Sequence, residues 1–259
     1  MCVALVSAAG FAFVYLLFAH TAHGLAFDAK AFARASGDAP SPYRVAGQRT
    51  LQTIDVGTVA AVLVLLSFLA LVRGEVRRAA VAAVVTVAPV ATAELLKRAL
   101  PFPAGRPPTL PSGHTAVAVS FGFALVIAVP PLLRATAAFA GAAYGAAIAF
   151  AVVVLGWHYP SDAAASFFLC GLWVSVVGLG LRSAPARPTV SGRGLVLAIA
   201  AVAAALAVAA AIASRHASAV AAARSAPAIA ALGVAFGVLS LGLFAVLTPL
   251  LSEYRESPS

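Results

Sequence analysis

The sequence predicts an all-α, multi-pass transmembrane helical bundle, and three observations carry that prediction. Of its 259 residues, 63% belong to the set AVILMFWYC and only 10% are charged. A soluble domain has about 45–50% apolar and about 25% charged residues. Apolar runs near 20 residues recur along the chain, and a helix of about 20 residues crosses a hydrocarbon core about 30 Å thick. Within these runs polarity does not alternate, as it would in lipid-facing strands. A soluble globule is thereby excluded, and so is a disordered chain, which would be poor in hydrophobic residues. Lys and Arg total 17 against 8 Asp and Glu, a net charge of +9. The cations sit in the gaps between apolar runs, so they read as topology signals and anion contacts, not as a nucleic-acid surface.

Eight segments qualify as spans: 2–19, 54–72, 79–96, 114–133, 135–157, 162–181, 194–213 and 227–248. The first lacks a basic n-region and exceeds a signal-peptide h-region, so it is kept as a helix. Segment 20–50 holds Gly, Pro, Ser and charges and reads as an outer loop, with a short amphipathic helix around Phe27–Arg34. Small residues in Gly141–Ala142–Ala143–Tyr144–Gly145 permit close helix approach. The organisation that follows is a six-helix core over 1–181, a basic Pro/Ser/Arg linker on the cytoplasmic side over 182–193, and a C-terminal transmembrane hairpin with a short tail over 194–259. With the N-terminus inside, eight cations lie on the inner side and nine on the outer. The count alone does not orient the chain. The short basic segments 73–78 and 182–193 favour this arrangement. Cys2 and Cys170 lie far apart, and neither suggests a disulfide framework or a zinc ligand.

Three polar clusters interrupt the apolar pattern. They are Glu94, Lys97, Arg98 and Arg106–Pro107; then Pro111–Ser112–Gly113–His114; then His158–Tyr159–Pro160–Ser161–Asp162. One helix leaves the face of the second cluster and the next returns to it, so the second and third share a membrane face. No crossing separates the first from the second. Gathered there, Lys97, Arg98 and Arg106 supply positive charge. Ser112 and Gly113 open a helix whose first amides lack intrahelical partners and attract anions. His114 and His158 can each act as nucleophile, acid or base near neutral pH. Asp162, in the first turn after Pro160 and Ser161, reaches the His158 ring, fixes its tautomer and frees its other nitrogen. That inventory suits phosphoryl transfer through a covalent histidine intermediate.

Taken singly, each residue has an ordinary explanation. Lys97 and Arg98 can be an interfacial anchor, Ser112 a helix cap, and Asp162 a first-turn charge. His158 can belong to an aromatic belt with Trp157 and Tyr159. Glu94 is expected to pair with Lys97 or Arg98 at helical spacing. His20, His23 and His216 read as solvated, and no metal-ligand spacing such as His-x-x-x-His occurs. The phosphoryl-transfer reading rests on their joint occurrence on one face.

The Pro111–Ser112–Gly113–His114 run, followed after two helices by His158-x-x-x-Asp162, resembles the type 2 phosphatidic acid phosphatase superfamily. Those membrane enzymes share a catalytic core with vanadium haloperoxidases and bacterial acid phosphatases. The resemblance covers about residues 50–181 and the preceding first span. It implies that His158 is the nucleophile, that Asp162 orients it, and that His114 protonates the leaving group and then activates water. It implies that Lys97, Arg106, Ser112 and Gly113 hold the phosphoryl oxygens, without metal or other cofactor, on the extracytoplasmic face of the cell membrane. Two departures stand out. The family's first motif has six residues between its Lys and Arg-Pro, whereas eight separate Lys97 from Arg106 and seven separate Arg98 from Arg106, so Arg98 is the other candidate. The Ser-Arg that usually opens the third motif is replaced by Ala151–Val152, with Arg98, Arg44 and Arg49 as candidate substitutes.

The expected activity is hydrolysis of a phosphomonoester or diphosphate on a polyprenyl or glycerolipid, with the bilayer and the lipid phosphate as partners. The alternatives are a phosphotransferase on the same scaffold and a catalytically impaired lipid-binding scaffold or transporter. A transporter would place ionisable groups near the midplane. Here they sit at helix ends. The sequence sets no oligomeric state.

Overall fold

The computed structural model describes residues 2–37, 39, 41–54, 61–62, 64–65, 76–181 and 219–252. The described chain is helical, in the order α1 (Cys2–His20), α2 (Ala22–Gly37), α3 (Ser41–Leu51), α4 (Val76–Ala99), α5 (Gly113–Ala128), a single 3-10 turn (Pro131–Leu133), α6 (Arg134–Val154), α7 (Pro160–Leu181) and α8 (Ala219–Ser252). Among the described residues, five helices are long and apolar enough to cross a membrane: Cys2–His20, Ala79–Ala99, Pro131–Val154, Pro160–Leu179 and Ile229–Pro249. Most of the span expected at 54–72, the whole of 194–213 and the linker 182–193 lie outside the described residues.

Three expectations are corrected. The span expected at 114–133 is the shorter helix Gly113–Ala128. Val129 turns extended ahead of Pro130 and Pro131, because proline disfavours helical conformation in the residue before it and has no N–H to donate. The span expected at 135–157 ends at Val154. Gly156 adopts φ +75° while its N–H donates to Val153 O at 3.0 Å and the Trp157 N–H donates to Val152 O at 2.9 Å. This pair of bonds is a Schellman ending, which needs a left-handed residue just past the helix. The outer loop expected at 20–50 is instead mostly helical, as α2 and α3. Thr21 starts α2: its Oγ1 accepts from the Gly24 N–H at 3.0 Å and donates to Leu17 O at 2.7 Å. It thereby caps the new helix while tying it to the end of α1.

The core forms where α5, α6, α7 and α8 meet. Gly122 of α5 and Gly141 of α6 face each other so closely that a Cβ on Gly141 would lie 2.6 Å from the Gly122 Cα. The small-residue run on α6 therefore works as its composition suggests, letting backbones approach. Phe244 of α8 fills the adjoining space and stacks on Phe123 with ring centroids 4.0 Å apart and planes 3° apart. The Ser240 hydroxyl donates to Ala142 O at 2.8 Å. Thus α8, which the sequence assigns to a separate hairpin, shares one core with the preceding helices. On the other side, α1 packs on α7 through Gly10 and Phe168, and Trp173 Nε1 of α7 donates to Thr92 Oγ1 of α4 at 3.0 Å.

Candidate active site

The three polar clusters converge at one end of the bundle. The Ser112 N–H donates to the Asp162 carbonyl at 3.0 Å. The Ser166 hydroxyl lies 2.8 Å from Ser112 O and 3.0 Å from Asp162 O, bridging the two turns from below. The two turns are thereby joined by a backbone–backbone bond and by one short side chain, neither of which can swing away as a long side chain can.

Asp162 is at the centre and fully buried. Pro160 opens α7, the position where a missing N–H costs nothing. Asp162, in the first turn, reaches back with Oδ2 to accept from the Tyr159 N–H at 3.0 Å, the acidic arm of a capping box. The same Oδ2 lies 3.3 Å from His158 Nδ1. One carboxylate oxygen therefore serves both the helix start and the contact with the histidine ring. A carboxylate can only accept here, so Nδ1–H is the donor of this pair, and Nε2 is the ring nitrogen that Asp162 does not engage. The His158 backbone is aimed from the other side: its N–H donates to Val152 O at 3.1 Å, at the end of α6.

Arg106 is buried and pinned by acceptors from three segments. Nη1 donates to Phe18 O at 2.6 Å. Nη2 donates to Asp28 Oδ2 at 3.0 Å, Ser161 Oγ at 2.9 Å and Asp162 Oδ1 at 3.2 Å. Its Nε is buried and has no hydrogen-bond partner among the described residues, and its guanidinium carbon lies 4.5 Å from the centre of the Tyr159 ring. Removing one partner from such a buried ion cluster costs about 3–5 kcal/mol, because a buried charge is left uncompensated.

Asp28 is the residue that sequence reasoning missed. It lies on α2, is 1% exposed, and accepts from the Ser161 N–H at 3.1 Å as well as from the Ser161 hydroxyl. Burial pushes its carboxyl above the ordinary range, more than the Ser161 hydrogen bonds and Arg106 pull it down, and the nearby Asp162 charge adds to the rise. Its signal in the sequence is weak: one acid in a helix whose cap, Thr21, resembles any loop threonine.

At the α5 terminus, Ser112 is fully buried and acts as the N-cap, its Oγ 3.4 Å from the Thr115 N–H and 3.1 Å from Thr115 Oγ1. Gly113 lies beneath the last turn of α4. A Cβ there would meet Glu94 Oε1 at 3.0 Å and Lys97 Nζ at 3.5 Å. Lys97 donates to Glu94 Oε1 at 2.7 Å, the pairing expected from their spacing. Of the two alternatives in the first cluster, Lys97 is thus the cation at the helix terminus, and Arg98 is exposed. His114 stands edge-on to Trp157 with centroids 5.5 Å apart. Its electrostatic neighbours are His158, Lys97 and Glu94. Ala151 and Val152 are buried within α6. Arg44 and Arg49 are exposed on α3, and Arg44 donates to Ser36 O. Among the described residues, no group of three or more His, Cys, Asp and Glu side chains is placed to hold a metal ion.

The arrangement can hold a tetrahedral anion between an ammonium, a helix N-terminus and two imidazoles, one of them oriented by a carboxylate. Residues 4–180 match the family model of the PAP2 superfamily. No curated protein and no solved structure matches the chain.

Proposed function

Because the chain belongs to the PAP2 superfamily, a family of phosphatases with which its apolar helices agree, we propose that it is an integral membrane lipid phosphatase. Its substrate would be a phosphomonoester or diphosphate on a polyprenyl or glycerolipid, and its intermediate a phosphohistidine. The observation that carries this reading is the His158 Nδ1–Asp162 Oδ2 pair at 3.3 Å, set beside the α5 terminus and its Lys97. The site would face the extracytoplasmic side of the cell membrane, with lipid tails entering between helices.

In the first step His158 Nε2 attacks phosphorus and the P–O bond to the lipid breaks. His114, as imidazolium, gives its proton to the departing oxygen. In the second, neutral His114 takes a proton from water, the hydroxide attacks phosphorus, and the P–N bond breaks to release phosphate and restore His158. Lys97 and the Gly113 backbone would meet the charge on the equatorial oxygens, with Ser112 fixing the turn and offering its hydroxyl proton. Arg106 contributes through its remaining N–H groups, and Arg98 stands by at the rim. No metal or other cofactor enters the scheme.

A phosphate-release screen across phosphatidic acid, phosphatidylglycerol phosphate and polyprenyl diphosphates tests the reading, with His158→Ala as control. Turnover is expected in the parent chain and is expected to vanish in the variant. Orthovanadate, a phosphate mimic that adopts trigonal-bipyramidal geometry, is expected to inhibit, and a chelator is not. Turnover retained by His158→Ala would exclude this nucleophile. Phosphorylated acceptor in place of free phosphate would indicate transfer to a hydroxyl.

One observation favours a second reading. Ala151 and Val152 stand, buried, where the family motif carries Ser-Arg. Losing one preorganised contact costs about 10²–10³ in rate, which supports a catalytically impaired lipid-phosphate binder. Binding of a lipid phosphate without any turnover would select it.

A further inference from the structure

We infer that Asp28, on α2, is a positioning residue of this site, acting on His158 through Arg106 and Asp162. The inference rests on the phosphatase reading for its kinetic readout only.

The contacts form one series. Asp28 Oδ2 receives Arg106 Nη2 at 3.0 Å, the same Nη2 reaches Asp162 Oδ1 at 3.2 Å, and Asp162 Oδ2 faces His158 Nδ1 at 3.3 Å. Two buried carboxylates therefore share one guanidinium. Charge-assisted hydrogen bonds of this kind compete for the same donor. With Asp28 neutral or absent, Arg106 leans fully on Asp162 and draws that carboxylate away from the imidazole. With Asp28 charged, the guanidinium is held between the two acids and Asp162 keeps one oxygen for His158.

The rest of α2 supports the same assignment. Phe32, one turn beyond Asp28, stacks on Tyr159 with centroids 4.6 Å apart, and the Arg106 guanidinium lies over that same Tyr159 ring. Ser36, one turn further, lies against Gly156, where a Cβ would be 3.5 Å from its own. One face of α2 thus touches the ion cluster, the residue after the nucleophile and the turn that aims it. An acid buried to 1% exposure carries a large desolvation cost, and its polar contacts run to Ser161 in the catalytic turn and to Arg106 beside it.

The test uses the full chain in detergent micelles with phosphatidic acid and farnesyl diphosphate as probes. Asp28→Asn, close in shape, is expected to lower kcat at least tenfold with KM within about twofold. Asp28→Glu, which restores the charge, is expected to recover part of kcat. In an Arg106→Ala background, Asp28→Ala is expected to add no further loss, since the two act as one unit. A second full tenfold loss there, or unchanged kcat in Asp28→Asn, overturns the inference. Ser161→Ala leaves both charges and serves should Asp28→Asn not fold; a fall in kcat supports the assignment and an unchanged kcat overturns it. If the parent chain hydrolyses neither probe, the phosphatase reading is what fails. The positioning role is then read from the ¹⁵N signals of the histidine rings, with His158 assigned by their loss in His158→Ala. Asp28→Asn is expected to shift the His158 pair, and unshifted signals overturn the inference.

Discussion

The Ser112 amide donates to the Asp162 carbonyl across 3.0 Å, so the turn that opens α5 and the turn that opens α7 are one hydrogen-bonded unit. Two helix starts, each with its own cap, are locked at fixed distance. His114 on one and His158 on the other inherit that distance.

Asp162→Asn is expected to leave a folded chain with kcat down by about 10²–10⁴, because an amide no longer fixes the tautomer of His158. The variant also loses one charge from the Arg106 cluster, so thermal unfolding should be followed alongside phosphate release. Near-parental kcat would remove Asp162 from the mechanism.

Gly156→Ala probes the turn that precedes His158, the proposed nucleophile. A Cβ there meets Ser36 at 3.5 Å, an ordinary contact, but the backbone sits at φ +75°, which costs an L-residue about 1–2 kcal/mol. Strain therefore outweighs crowding. The variant should melt lower by an amount corresponding to about 1 kcal/mol and turn over several-fold more slowly, as read by melting curves and phosphate release.

Glu94→Gln tests competition at the α5 terminus. Glu94 Oε1 holds Lys97 Nζ at 2.7 Å beside Gly113, where an incoming phosphate would be bound. The Glu94 side chain is half exposed, so the pair itself adds little to stability. Removing a repelling carboxylate near a bound anion is worth about 1 kcal/mol at surface dielectric. Orthovanadate inhibition should tighten about fivefold; weaker inhibition would show that Glu94 holds Lys97 in place instead.

Phe244→Ala measures how far α8 belongs to the core. Phe244 is 1% exposed and stacked on Phe123. Cavity formation costs about 3–5 kcal/mol for such a change in a soluble core. Between membrane helices the transfer share is smaller, so about 2–3 kcal/mol is expected in detergent unfolding. Unchanged stability would mean that α8 is a separate attachment.

Asp28 gives a pH signature. Burial raises its carboxyl above the ordinary range, so above that range the folded chain holds this proton more tightly than the unfolded chain. The stability it contributes is complete at acid pH and declines as pH rises through the raised value. Asp28→Asn should flatten that part of the stability–pH profile, measured by melting between about pH 4 and 8; an unaltered slope would assign it to another group.

Much of this protein was legible in residue order alone. Apolar runs of membrane-spanning length and the absence of alternation dictate helices, because backbone groups in hydrocarbon must bond within their own segment. The shared face of the three polar clusters follows from counting crossings. Caps at Ser112 and Pro160 are local chemistry, and so is the Glu94–Lys97 pair. Tertiary structure alone decided what lies beyond a helix's own length. Whether Lys97 or Arg98 reaches Gly113 depends on how α4 rotates against α5. Whether Phe244 fills the gap beside Gly122 and Gly141 depends on where α8 returns. That Asp28 meets Arg106 depends on how Thr21 turns α2 back from α1. Spacing along the chain encodes a residue's phase on its own helix; it carries no record of which neighbour that face will meet, since packing and buried charge pairing are settled only when distant segments compete for the same space.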